Sequence, residues 1–275
     1  MFRVGRWIAR HWVMAIGLLV LLYLFIPVGV IMLLSFNKPG SRATTYVLDL
    51  DRFTFTWDNW TDIFGASGLR ESLTLSIQIG FLATVISTIL GTLISFALVR
   101  HRFFGRPAVN TLIFLPMATP EIVMGTSLLT LFLAMGLQPG FLTILIAHVM
   151  FCISFVVVTV KARLTGMDPK LQEAAMDLYA TPLQAFRLVT LPLVLPGIVA
   201  AALLCFSLSF DDFIITNFTS GQTVTFPMFI WGSNQRGIPP QINAVASAMF
   251  LISLAFVVLG QLRTRRRSAR RAATS

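Results

Sequence analysis

The sequence predicts an all-α membrane protein of six transmembrane helices with both termini in the cytoplasm, and three observations carry that prediction. The chain of 275 residues is 56% hydrophobic and only 12% charged, about half the charged share of soluble domains, and its mean hydropathy is +0.82. Six apolar runs reach the ~20 residues a bilayer core requires of a helix; they lie at about 13–36, 72–99, 109–136, 140–161, 192–215 and 242–262. The basic residues are divided unevenly between the connections, which sets the orientation.

The N-terminal "MFRVGRWIARHW" resembles the charged region of a signal peptide. The run from Val13 to Phe36 is too long for a signal core and no small-residue cleavage site follows it, so it is expected to be a retained anchor. Alternate connections carry sixteen of the 21 Lys and Arg: Arg3, Arg6 and Arg10; Arg100, Arg102 and Arg106; Lys161, Arg163, Lys170 and Arg187; and six Arg from Arg263 to Arg271. The other side has Lys38, Arg42, Arg52, Arg70 and Arg236. By the positive-inside rule the first group is cytoplasmic.

Two longer connections, 37–71 and 216–241, fall outside. The first holds "TWDNWTDIFG", where Trp57 and Trp60 are three apart and Thr56 can cap a short interfacial helix. A plain aromatic belt and a contact for an external partner fit this stretch equally well.

The largest cytoplasmic piece, 162–191, punctuates itself as two short helices. Asp168–Pro169 and Thr181–Pro182 are each an N-cap followed by a first-turn proline. Leu171, Ala174, Ala175 and Leu178 repeat at helical spacing between them, and a turn is expected near Tyr179–Ala180. A plain connector uses two to eight residues; some thirty spent on a helical pair with an apolar stripe suggest a docking surface, with packing on the chain's own bundle as the alternative.

Several function classes are disfavoured. Cys152 and Cys205 lie inside apolar runs, and His11, His101 and His148 are far apart without ligand-spaced neighbours, so neither a disulfide framework nor a metal site is expected. The net charge of +10 comes largely from Arg; the Arg-rich tail fits a topology anchor touching anionic membrane lipid better than a nucleic-acid surface. No catalytic constellation or cofactor site is expected. None of Lys38, Lys161 and Lys170 follows a Gly-rich phosphate loop, so ATP hydrolysis would need a separate polypeptide.

The stretch "EAAMDLYATPLQAFRLVTLPLVLPGI" resembles the EAA loop of importer-type ABC transporter permeases. Glu173, Ala174, Ala175, Ala180, Leu191, Pro192, Pro196 and Gly197 match its pattern, while Tyr179 stands where the family usually has Gly. From about Val13 to Leu262 the chain is similar to the second permease subunits of spermidine/putrescine importers, through "PEIVMGTSLLTLF", "CISFVVVTVKARL", "LSFDDFIITNF" and "INAVASAMFLISL". Iron, sulfate and thiamine permeases share the loop, so the polyamine assignment rests on those weaker stretches.

The resemblance implies a type I ABC importer permease fold in the bacterial inner membrane. It also implies a homologous second permease, two cytoplasmic ATP-binding subunits and an extracytoplasmic substrate-binding protein. Residues 1–70 would hold the N-terminal tail, first span and external loop, 71–262 the transport core with its coupling loop, and 263–275 the Arg-rich tail. ATPase closure would move the docked helix pair and, through it, spans four and five. Glu173 would make a polar contact there, Ala174 and Ala175 would permit close approach, and Tyr179 and Ala180 would form the turn.

The acids at membrane depth outside this loop are Glu121, Asp211 and Asp212, and an acid at a helix centre costs up to about 2.5–3.5 kcal/mol. Glu121 follows Pro116 and Pro120, which weaken the third span's hydrogen-bond ladder. Asp211 and Asp212 lie near the outer end of span five, where the helix dipole disfavours an anion. Two readings stand: carboxylates guiding a polycationic substrate, or interfacial acids capping short elements beyond the spans. His148, in span four, fits a hydrogen bond within the bundle better than a proton relay. A secondary transporter or channel would show internal repeats or an ion-coupling set, and neither is evident. A non-transporting scaffold would leave the helix pair and the acids without a cause.

Overall fold

The computed structural model describes residues 2–38, 53–168 and 170–272, with the side chains of 2–10, 236 and 263–272 set aside. Arg42, Arg52 and Pro169, used above for orientation and capping, lie outside the described residues. Apart from one isolated antiparallel bridge between Asn37 and Phe55, the regular structure among the described residues is helical.

The chain forms two compact units, one of residues 1–70 with 230–275 and one of 71–229. The first contains α1 (Phe2–Leu34), α2 (Asp58–Thr61) and α13 (Pro240–Ala272). α1 packs on α13, with Phe25 and Phe250 edge to face at 6.4 Å. The end of α1 is tied to α2 by Asn59, whose side-chain amide donates to the carbonyls of Ser35 (2.9 Å) and Asn37 (3.0 Å). Thr56 Oγ1 accepts from the Asp58 N–H at 3.1 Å, but the N-cap position of α2 is Trp57, without a side-chain capping bond, so Thr56 stands one residue before the cap expected of it. Phe36 stacks on Phe55 and Trp60 and meets Trp57 edge-on.

The second unit is built on α3 (Leu69–Arg100), α7 (Phe141–Thr165) and α10 (Leu191–Asp211), with α12 (Phe226–Arg236) starting at its end. Between α3 and α7 come α4 (Arg106–Leu112), α5 (Leu115–Ala118) and α6 (Glu121–Ala134); between α7 and α10 come α8 (Lys170–Asp177) and α9 (Pro182–Ala185); α11 (Ile214–Thr219) follows α10. Gly91 lets α3 approach α7, since a Cβ there would stand 2.6 Å from Val156 Cγ1. The hydroxyls of Ser87 and Ser95 donate to the carbonyls of Val149 (3.2 Å) and Val157 (3.1 Å). Met124, Leu128, Phe151, Val156, Val160, Val194, Ala201 and Ile215 form the core, with the thiols of Cys152 and Cys205 buried among them.

Five helices are long and apolar enough to cross a membrane: His11–Leu34, Leu69–Arg100, Phe141–Thr165, Pro182–Asp211 and Pro240–Leu262. The expected third span, 109–136, is instead a pair, Arg106–Ala118 and Glu121–Ala134, bent by 106°. Thr119 leaves the helical region (φ −81°, ψ 131°) because the ring of Pro120 excludes the α conformation from the residue before it. Six crossings are reached when the bent pair counts as one. The fifth run begins earlier than its apolar stretch: Pro182 to Asp211 is one helical run, so the second short helix predicted in 162–191 is the first turn of the span itself.

Candidate coupling and pathway sites

The loop between α7 and α10 is organised by local hydrogen bonds that the sequence spells out. Asp168 Oδ1 accepts the Lys170 N–H at 3.0 Å and starts α8. At the next start, Thr181 Oγ1 accepts from the Gln184 N–H (3.3 Å) while Gln184 Oε1 accepts from the Thr181 N–H (2.8 Å), a reciprocal capping box. Between them the Tyr179 N–H donates to the Met176 carbonyl (2.9 Å) and the Ala180 N–H to the Ala175 carbonyl (3.1 Å). Those two bonds define a Schellman C-cap, with Tyr179 at the position that must be left-handed.

Tyr179 has φ 65°, alone among the described non-glycine residues in being positive. The end of α6 closes in the same way, through Gly136→Leu133 and Leu137→Phe132 bonds, but with a glycine at φ 73°. The turn thus keeps the geometry of a glycine cap with a tyrosine in it. Tyr179 is 96% exposed, so no neighbour among the described residues offsets the strain, and with Leu178 (82%) and Leu183 (74%) it forms an apolar tip. Ala174 is exposed, and Ala175 and Ala180 are half-buried beneath the tip.

α9 runs into α10 through a π-helical turn, Phe186–Thr190. The Leu191 N–H reaches back five residues to the Phe186 carbonyl, just before Pro192, which has no N–H to donate to Leu188 and whose ring crowds that carbonyl. Arg163, near the end of α7, donates from Nε to the Leu193 carbonyl at 3.0 Å. Its stem occupies the space beside Gly197, where a Cβ would stand 2.9 Å from Arg163 Cβ and Cγ.

Glu173 is exposed in the first turn of α8. It lines an open cleft of about 520 Å³ together with Gln172, Met176, Phe186 and Thr190 and, from the end of α3, Leu93, Phe96, Arg100 and His101. Phe96 and Phe186 close its apolar wall, edge to face at 5.4 Å.

The pathway candidates separate. Glu121 is exposed in the first turn of α6, immediately beyond the break at Pro120. Asp211, the last residue of α10, is exposed. Asp212 turns inward: its Oδ2 accepts from the Thr216 N–H (2.8 Å) and Oγ1 (2.7 Å) and lies 3.3 Å from His148 Nε2. His148, which is buried, also meets Ser209 Oγ through Nδ1 at 2.7 Å and Thr216 Oγ1 through Nε2 at 2.9 Å. Asp212 therefore places its charge at the start of α11, where the helix dipole favours an anion, and α7, α10 and α11 are tied together at one point. Sequence reasoning anticipated a bundle hydrogen bond for His148 and a capping reading for the Asp pair. It found neither the shared network nor the cleft, whose members come from distant parts of the chain.

Bilayer-length helices, with an exposed apolar helix–turn–helix between two of them, define a multi-helix membrane protein. The family described as the binding-protein-dependent transport system inner membrane component matches residues 83–268, and the chain belongs to it. It is 39% identical over 250 residues to the spermidine/putrescine transport system permease protein PotC of Haemophilus influenzae, covering 89% of this chain and 93% of that one. It is 36% identical over 249 residues to the putrescine transport system permease protein PotI of Escherichia coli K12, covering 86% and 84%. Among solved structures, a chain of a bacterial ABC transporter involved in import of the acidic polysaccharide alginate superposes with TM-score 0.63 at 16% identity, over 96% of this chain and 99% of that one. A chain of the inward-facing MetNI methionine ABC transporter superposes with TM-score 0.57 at 16% identity, over 72% and 94%. The fold is that of ABC importer permeases.

Proposed function

We propose that this chain is one of two homologous permease subunits of an ATP-driven polyamine importer of the type I class in the bacterial cytoplasmic membrane. It spans the bilayer six times, the bent pair counting as one crossing, with both termini in the cytoplasm. A separate ATPase docks on the coupling loop of each permease, and an extracytoplasmic binding protein delivers the substrate. Spermidine and putrescine are the substrate class, because the relatives named for these polyamines share more than a third of their residues with this chain over most of its length.

The observation that carries the coupling role is the join between the apolar tip and the span. Leu178, Tyr179 and Leu183 protrude, and the run that begins at Pro182 continues to Asp211 as one helical body. A partner that grips the tip moves the span as a lever, while Arg163 transmits the same displacement to α7. Glu173 supplies a polar contact at the edge of the docking surface, and Ala174, Ala175 and Ala180 keep the turn slim enough for close approach. Glu121 and Asp211 present carboxylates to a polycation, and Asp212 holds the backbone around Asp211 in place through the His148 network.

Co-purification tests this. The complex should leave the membrane in mild detergent with its ATPase attached, and deletion of 168–190 should abolish both the attachment and uptake. Release of this chain without any ATPase, with transport unchanged by the deletion, would contradict the proposal.

A further inference from the structure

The elbow between α5 and α6 leaves backbone groups unpaired. Thr119 and Pro120 lie outside any hydrogen-bonded turn, and the run Arg106–Ala118 closes with the bond from the Thr119 N–H to the Leu115 carbonyl at 3.0 Å. The carbonyls of Pro116, Met117 and Ala118 therefore receive no N–H from the chain that follows, and Pro120 has none to give. Carbonyls at a helix end point along its axis and carry its negative pole. Here α6 turns off by 106° instead of continuing in front of them.

Depth makes that arrangement costly. On the proposed topology α6 descends from the outer side, and its 14 residues reach about 21 Å, short of the ~30 Å hydrocarbon core. The elbow thus falls inside the membrane, where unpaired backbone is tolerated only against protein or a water-filled cavity. Glu121 shares one face of α6 with Gly125, Leu128 and Phe132, which are buried, and a Cβ on Gly125 would stand 2.6 Å from the ring of Phe218 in α11. Glu121 continues that packed stripe but is exposed, so the packing stops one turn before it and the carboxylate stands on the bundle side of α6.

We infer that this elbow is a binding site for a substrate ammonium group, held by the Glu121 carboxylate and the free carbonyls of Pro116, Met117 and Ala118, with Pro120 as the positioning residue that keeps those carbonyls free. An ammonium offers three N–H donors and no acceptor, which matches a set made only of acceptors. A carboxylate alone attracts charge; the carbonyls add directional acceptors beside it. The site deepens the polyamine reading and rests on it.

The test is thiol labelling of Thr119→Cys in the complete complex, reconstituted in liposomes, by a water-soluble cationic methanethiosulfonate; the native thiols of Cys152 and Cys205 are wholly buried. The introduced thiol should react, and saturating spermidine should slow the reaction about tenfold relative to sodium chloride of equal ionic strength, the control for screening. Adding Glu121→Gln should remove most of that protection. Pro120→Ala, which keeps the carboxylate but lets residue 119 return to the helix, should also remove most of it. No labelling, equal protection by salt, or protection unchanged in either variant would overturn the site. If Pro120→Ala fails to assemble, the Glu121→Gln comparison decides. Spermidine uptake is measured in the same vesicles: uptake without protection overturns the site and leaves the polyamine proposal standing, whereas absence of both overturns the polyamine proposal and the site with it.

Discussion

Arg163 and Gly197 are packed so closely that residue 197 has no room for a side chain: a Cβ there would lie 2.9 Å from both Cβ and Cγ of Arg163. Those atoms sit next to the α7 backbone and cannot swing aside, and Nε is held by the Leu193 carbonyl at 3.0 Å. The glycine of the loop's closing P-G pair is thus needed for a close approach between α7 and α10. Gly197→Ala should destabilise the chain by about 1–3 kcal/mol, the usual range for an overpacked contact, seen as a lower melting temperature of the purified complex. Combining it with Arg163→Ala, which removes Cγ, should recover part of the loss; strictly additive effects would contradict the packing explanation.

Tyr179 holds a left-handed conformation, φ 65°, with a phenol almost wholly in solvent. A left-handed residue with a Cβ carries roughly 1–2 kcal/mol of strain, part of which glycine's greater freedom in the unfolded chain cancels. Tyr179→Gly should therefore raise thermal stability modestly. If the phenol is an ATPase contact, the same variant should retain less ATPase through detergent washing. Higher stability with unchanged ATPase retention would remove Tyr179 from the docking surface.

The loop's starts and turn are legible in the sequence because they are local. Asp168, Thr181 and Gln184 bond backbone groups two or three residues away, so residue type and spacing suffice to locate them. The break in the third run is signalled by Pro120, although no sequence feature gives its 106° angle. The π-helical turn has only the following Pro192 as a local cue. The His148 network joins residues 61 and 68 positions apart, and the cleft joins the end of α3 to α8; such pairings depend on how the helices stack, which hydropathy alone does not encode. Asp211 and Asp212 are neighbours in the chain with the same side chain, yet one faces out and the other inward, because α10 ends between them.

Asp212 and His148 should behave as one unit. Asp212→Asn leaves Thr216 and His148 with a weaker acceptor in a buried site, and a loss of about 1–3 kcal/mol is expected. His148→Gln should cost a similar amount, and the double variant less than the sum, with a coupling of about 0.5–3 kcal/mol in a double-mutant cycle of thermal stability. Independent effects would mean that the 3.3 Å contact carries no energy.

Glu121 and Asp211 are exposed and have no structural duty comparable with that of Asp212. Glu121→Gln and Asp211→Asn should leave assembly and melting temperature unchanged while raising the apparent KM for polyamine uptake several-fold, the loss expected for a weakened charge contact of about 1 kcal/mol. Normal uptake kinetics in an assembled double variant would take both carboxylates out of the pathway.

ATP-dependent accumulation of labelled spermidine in proteoliposomes containing the complete complex, measured with unlabelled competitors, bears most directly on what the machine does. Spermidine and putrescine should compete, sulfate, ferric iron and thiamine should not, and replacing Leu178 and Leu183 with Asp should abolish accumulation. Accumulation that persists without ATP, or that sulfate, iron or thiamine blocks while putrescine does not, would contradict an ATP-driven polyamine importer.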